Sequence, residues 1–184
     1  PTQDITIEKL KSKNKYVERT ISLNIYAKLG GTSWTVAKTD NNVNEIVIGI
    51  GSTTDKDNNQ VISFANFFDY NGKYLVGDCS QFATRKNYVD KLREYLVKNL
   101  SRVINQKGLT ESDDIQLTFH IFKKAGKKYE VRAIEEAINC FGSYSIRFGI
   151  VHLSYYHSYR MYSEEGKVIP ERGAYVQFTL NLAL

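Results

Sequence analysis

Proline is nearly missing from this chain of 184 residues, occurring twice, and no Gly/Ser-rich or charge-block stretch takes its place as a linker. Nothing therefore marks an internal boundary, and the length suits one domain, residues 1–184, with 1–20 as an arm or edge strand. Cysteine is as scarce: Cys79 and Cys140 stand far apart, which excludes a disulfide framework and a structural zinc site. No apolar run approaches the roughly 20 residues that span a bilayer, and no signal-peptide pattern opens the chain. A reducing, cytoplasmic setting is the expectation. With 42% apolar and 24% charged residues, wholesale disorder is also excluded.

Acidic residues are outnumbered by basic ones, 20 to 25, for a net charge of +5. The surplus is uneven. Arg85, Lys86, Lys91, Arg93, Lys98, Arg102 and Lys107 face only Asp90 and Glu94 in their segment, and Lys123, Lys124, Lys127, Lys128 and Arg132 follow. Positive charge of this kind suits an anionic partner, and thirteen tyrosines offer stacking surface beside it.

Periodicity sets out the elements. Thr6 to Arg19 is lysine-rich and weakly patterned, and reads as a strand or arm on the rim. Ile21, Leu23, Ile25 and Ala27 alternate with polar or larger neighbours, which predicts a strand ending at Gly30-Gly31. Glu45–Ile50 is a short β-branched run, the mark of a buried central strand. Val61–Tyr70 and Lys73–Val76 flank Asn71-Gly72, a strong hairpin signal. From Arg85 to Asn105, Val89, Leu92, Leu96, Leu100 and Val103 form one helical stripe, with Gly108 suited to the C-terminal cap. Ile115–Phe122 alternates as a strand, Glu130–Asn139 reads as a short helix, and Ser145–Leu153 and Ala174–Leu180 complete the strands. The order β-β-β-α-β-α-β predicts an α/β fold, a ribonuclease H-like mixed sheet flanked by helices.

Four stretches carry a family resemblance, one of them Ile115–Lys123 followed by Glu130–Ile138, which is similar to the family's strand and helix after its long basic helix. Tyr26-Ala-Lys-Leu-Gly-Gly-Thr-Ser-Trp34 resembles the entry motif of Argonaute Piwi domains, Ile46-Val-Ile-Gly-Ile-Gly51 resembles their I-G-I-D strand, and Val151-His152 with Glu171–Val176 is similar to the last core segments of prokaryotic members. The resemblance spans roughly residues 17 to 184. It implies an excised lobe, without the MID domain that precedes Piwi and without the helices that follow it, so that an apolar face is left exposed. Slicing members cut by a two-metal route held by carboxylates. The first of those falls at Gly51, the second at His120-Ile-Phe-Lys-Lys124, and the last around Gly173–Val176, where no carboxylate or histidine stands. The resemblance thus implies a catalytically inactive Piwi domain with no metal or other cofactor, holding a guide or guide–target duplex, DNA or RNA, and passing recognition to an effector protein or domain.

By the same resemblance Lys28 is the lysine that reaches the guide 5′-phosphate, with Asn24 at the position of the family's second lysine. Lys91, Lys98, Lys123, Lys124 and Lys128 are the further candidate phosphate contacts, although a solvated helix or strand charge accounts for each more simply. Tyr155, Tyr156, Tyr159 and Tyr162 read either as stacking or as packing residues. Two other functions stay open. Asp55, Asp57, Asp69 and Asp78 would make a displaced metal site in an active ribonuclease H-like endonuclease, although Asp55 and Asp57 also suit a turn and Asp69 a hairpin end. A protein-interaction scaffold that kept only the fold is the third reading. His120, His152 and His157 suit packing or surface positions, and neither cysteine has a base beside it in sequence.

Overall fold

The computed structural model describes residues 5–11, 14–32, 35, 44–54, 60–79, 83–84, 86–122, 127–154, 177–179 and 182–183. The chain divides into two units, Pro1–Leu153 and Ser154–Leu184, although no linker composition separates them. In the first unit, strands β1 (Asn44–Thr54), β2 (Gln60–Asp69), β3 (Tyr74–Cys79) and β4 (Ala83–Thr84) precede helix α3 (Tyr88–Lys107). Strand β5 (Asp114–Phe122), a π-helical turn (Lys127–Val131), α4 (Arg132–Asn139) and β6 (Ser145–Leu153) follow. Ahead of them lie α1 (Ile7–Lys11) and α2 (Lys15–Lys28).

Strand β1 is central, as its apolar run predicts. It pairs antiparallel with β2 and parallel with β5, in the sheet order β3-β2-β1-β5-β6 with β4 on the side of β2. This is the mixed ribonuclease H-like sheet. Ile46, Ile48 and Ile50 point to one face, where their register neighbours Leu117, Phe119 and Ile121 on β5 and Phe67 and Ala65 on β2 are buried with them. Helix α3 closes that face with Leu92, Leu96, Leu100 and Val103, as its stripe predicts, joined by Ala133, Ile134 and Ala137 of α4. The hairpin turn after β2 forms where Asn71-Gly72 indicates, with Gly72 at φ 84°. Gly108 ends α3 at φ 65°, a left-handed conformation that glycine adopts without a Cβ penalty.

Two buried polar groups on α3 are satisfied. The Tyr95 hydroxyl donates to the Ala65 carbonyl at 3.1 Å, and the Asn99 amide donates to the Tyr95 carbonyl at 3.0 Å. The opposite face of the sheet carries Val47, Gly49, Thr118, His120 and Val151. Phe122, Phe148, Val151 and Leu153 are between 40% and 44% exposed.

Several expectations are corrected. The segment read as a rim strand or arm and then as the strand Ile21–Ala27 is helical, forming α1 and α2. Alternation over Ile21–Ala27 coexists with an i, i+4 spacing at Val17, Ile21 and Ile25, and local capping decides between them. The Asn14 side chain accepts from the Tyr16 N–H at 2.9 Å, Glu18 sits in the first turn and Lys28 in the last, all favouring a helix. Helix α3 starts later than Arg85 because the Asn87 side chain accepts from the Thr84 N–H at 2.7 Å and closes a turn first. In the second unit β7 (Gln177–Thr179) pairs with β8 (Leu182–Ala183) in a separate two-stranded sheet, rather than joining the main one.

Candidate nucleic-acid interface

Three parallel strands reach one edge of the sheet, where β5 and β6 end and β1 runs on beside β2. In register, Ile50 of β1 stands beside Ile121 of β5, which stands beside His152 of β6, so Gly51, Phe122 and Leu153 come next along each strand. Ligands of open α/β sheets gather outside such carboxyl ends. The helices point the same way. Helix α3 returns to the opposite edge, where the Lys107 ammonium meets the Asp69 carboxylate at 2.7 Å beside the hairpin turn. Helix α4 likewise runs back toward the start of β6, where the Ser145 hydroxyl donates to the Asp114 carboxylate at 2.8 Å. The N-termini of α3 and α4, the positive ends of their backbone dipoles, therefore share the carboxyl edge with Lys86 and the π-helical turn.

Divalent ions need oxygen ligands there. Gly51 offers no side chain, Ile121 is buried and apolar, and Phe122 presents a ring. His120 lies one residue short, between Gly49 and Val151, on the face away from the core. Among the described residues no group of three or more His, Cys, Asp or Glu side chains could hold a metal. The side chains described at this edge do not fit a two-metal centre.

The displaced site is corrected at Asp69. That residue pairs with Ile46, five register positions from Gly51 and so roughly 17 Å away along β1, and it is engaged by Lys107. Asp55, Asp57, His157 and Gly173–Val176 lie outside the described residues, as do the four tyrosines from Tyr155 to Tyr162. Asp78, on β3, is in register with Ala65 of β2.

The candidate phosphate contacts separate. Lys91 is held by Glu94 at 2.9 Å, and Lys98 is exposed on the outer side of α3. Lys123 and Lys124 lie outside the described residues, between Phe122 and the π-helical turn, and the backbone of Lys128 belongs to that turn. Arg93 bridges α3 to α4 through Glu136 at 3.5 Å, and Arg132 meets the same carboxylate at 2.7 Å. The hydrogen bond from Arg132 holds Glu136 below the usual carboxylate range, and Glu136 in turn raises Arg132. These bridges are solvent-exposed and contribute little individually.

Lys28 ends α2 rather than a strand, one helical turn beyond Asn24. Asn24 lines a hollow of about 190 Å³ with Ile5, Lys9, Tyr16 and Ile21. Gly30-Gly31 closes the helix: the Gly30 N–H donates to the Ala27 carbonyl at 3.0 Å and the Gly31 N–H to that of Tyr26 at 2.9 Å, a Schellman arrangement. Gly30 takes φ 85°, and a Cβ on Gly31 would run into the Tyr26 ring. Gly30→Ala is expected to destabilise this terminus by about 1–2 kcal/mol, the cost of a left-handed alanine, and to fray α2. Faster amide exchange at Lys28 and Leu29 would register it, while unchanged exchange would refute the cap.

Sequence reasoning missed the aromatic part of the edge. Tyr88, at the start of α3, is buried, and its hydroxyl donates to Glu130 at 3.2 Å. Its ring meets that of Tyr129 edge-on at 6.3 Å. A tyrosine directly after Lys127-Lys128 was the available signal.

The Piwi domain family model matches residues 1–179. Protein argonaute of Cereibacter sphaeroides is 25% identical over 169 residues, which cover 86% of this chain and 22% of that protein. Among solved structures, the Argonaute of Marinitoga piezophila in complex with 5′-OH guide RNA is 14% identical, with a TM-score of 0.49 over 64% of this chain and 19% of that one. Ribonuclease H1 of Halobacterium salinarum is 13% identical, with a TM-score of 0.35 over 60% of this chain and 86% of that one. With the family model matching nearly its whole length, this chain belongs to the Piwi domain family.

Proposed function

We propose that this domain holds a nucleic-acid strand, a guide or a guide–target duplex, at the carboxyl edge of its sheet and does not cut it. The observation that carries the reading is Gly51: in a Piwi family chain, a residue without a side chain stands on the central strand just past its last pairing with β5, where a nuclease needs its first carboxylate. What surrounds it favours an anion over a cation. Helix N-termini, Lys86 and the Lys127-Lys128 turn face one edge, and Lys123 and Lys124 lie between β5 and that turn in the chain. Charge and shape would then supply affinity while base pairing supplies sequence choice. In this reading cleavage, if it occurs at all, belongs to an effector protein or domain that responds to the loaded complex. The chain spans 22% of the length of its Argonaute relative, and the partners of a whole protein are part of this proposal.

The test is one incubation with two readouts. A labelled guide–target duplex mixed with the protein and magnesium or manganese is expected to be retained but uncut, with affinity falling steeply as salt rises. Cleavage products that disappear on adding a chelator would establish the endonuclease reading instead. Absence of binding at low salt would leave the scaffold.

A further inference from the structure

We propose that Tyr129 is a stacking platform for an unpaired base of the bound strand. The inference rests on the function proposed above and adds to it a residue that reads the face of a base rather than a phosphate. Tyr129 sits in the π-helical turn Lys127–Val131 that joins β5 to α4 at the carboxyl edge. Tyr129 is 39% exposed, while Tyr88, which it meets edge-on with an interplanar angle of 61°, is only 6% exposed. Tyr88 is itself fixed, by burial in the core and by the hydrogen bond from its hydroxyl to Glu130. The outer residue is thus partly exposed and set against a fixed neighbour.

That geometry has a physical use. A ring already held by its neighbour loses little further freedom when a base settles on it, so more of the stacking energy appears as affinity. Lysines 127 and 128 directly precede it in the chain, the interleaving of cations and aromatic rings that single-strand platforms use. The π-helical turn points the same way: such turns are rare and are found frequently at functional sites.

Binding of a single-stranded oligonucleotide to the full chain tests this, with DNA and RNA versions run in parallel and an abasic site moved along each. Y129F is expected to bind like the unaltered protein. Y129A is expected to bind roughly tenfold more weakly, the loss of one stacked base, with the salt slope unchanged because the phosphate contacts remain. One abasic position should weaken the unaltered protein by the same factor and leave Y129A no weaker still. Equal affinity of Y129A and the unaltered protein, or abasic and Y129A losses that simply add, would overturn the inference. Should Y129A fail to fold, the abasic scan on the unaltered protein decides, and a flat scan overturns it. If the unaltered protein binds no strand at all, the proposed function itself fails, and this inference with it.

Discussion

Exchanging Lys123, Lys124 and Lys128 together for glutamine is expected to weaken strand binding by roughly a hundredfold, at about 1 kcal/mol for each charge-assisted phosphate contact removed. The slope of log affinity against log salt should flatten by about 2 to 3, since each released phosphate contact accounts for roughly 0.9. Their place in the chain is the reason. In sequence they follow β5, whose pairing with the central strand stops at Ile50, one residue before Gly51, at the edge where two helices also direct their positive ends. Lys98→Gln is the matched control. Lys98 lies ten residues into α3 from Tyr88, roughly 15 Å along the helix, and its loss should change affinity less than twofold. Lys91 should also matter little, because its charge is engaged by Glu94. A triple variant that binds as tightly as the unaltered protein, with the same salt slope, would remove this edge as the binding surface.

Phe67→Ala should cost about 3–5 kcal/mol of folding stability. Phe67 is fully buried on β2, in register with Ile48 of the central strand and Val76 of β3, and it faces the α3 side of the sheet. Truncation removes most of a ring from a close-packed layer whose neighbours are held by sheet hydrogen bonds and cannot collapse inward. Against a total stability of about 5–15 kcal/mol, typical of a domain, the loss is a large fraction of what holds the fold. Denaturant titration should show a lower midpoint with an unchanged slope. A loss below about 1 kcal/mol would mean that the layer is not packed as described.

Much of the sheet was legible because its strands bury one face each. The Ile46, Ile48 and Ile50 run and the alternation from Ile115 to Ile121 admit one reading, and the stripe on α3 leaves no other face to bury. Helix α2 was not legible from spacing. None of its side chains is buried, so no core stripe separated helix from strand, and the deciding signal was the single cap at Asn14. The π-helical turn has no periodic signature at all, which hid Tyr129. At the site, Gly51 could be located from sequence because β1 is unambiguous, and its neighbour on β5 followed from the parallel crossover. Asp69 is the contrasting case. Its residue type suited a metal, but only the register shows that it sits at the far edge, bonded to Lys107.

The central position of β1 also governs how the chain is made. Its β2 neighbour emerges from the ribosome within a few residues, whereas Ile50 waits for Ile121, about 70 residues later. At roughly 5–20 residues per second, one flank of a strand rich in β-branched residues, with Glu45 its single charge, stays bare for several seconds of synthesis. Until β5 arrives, that flank is a template for any extended chain nearby, which makes chaperone demand and inclusion-body formation sensitive to translation speed between Ser80 and Asp114.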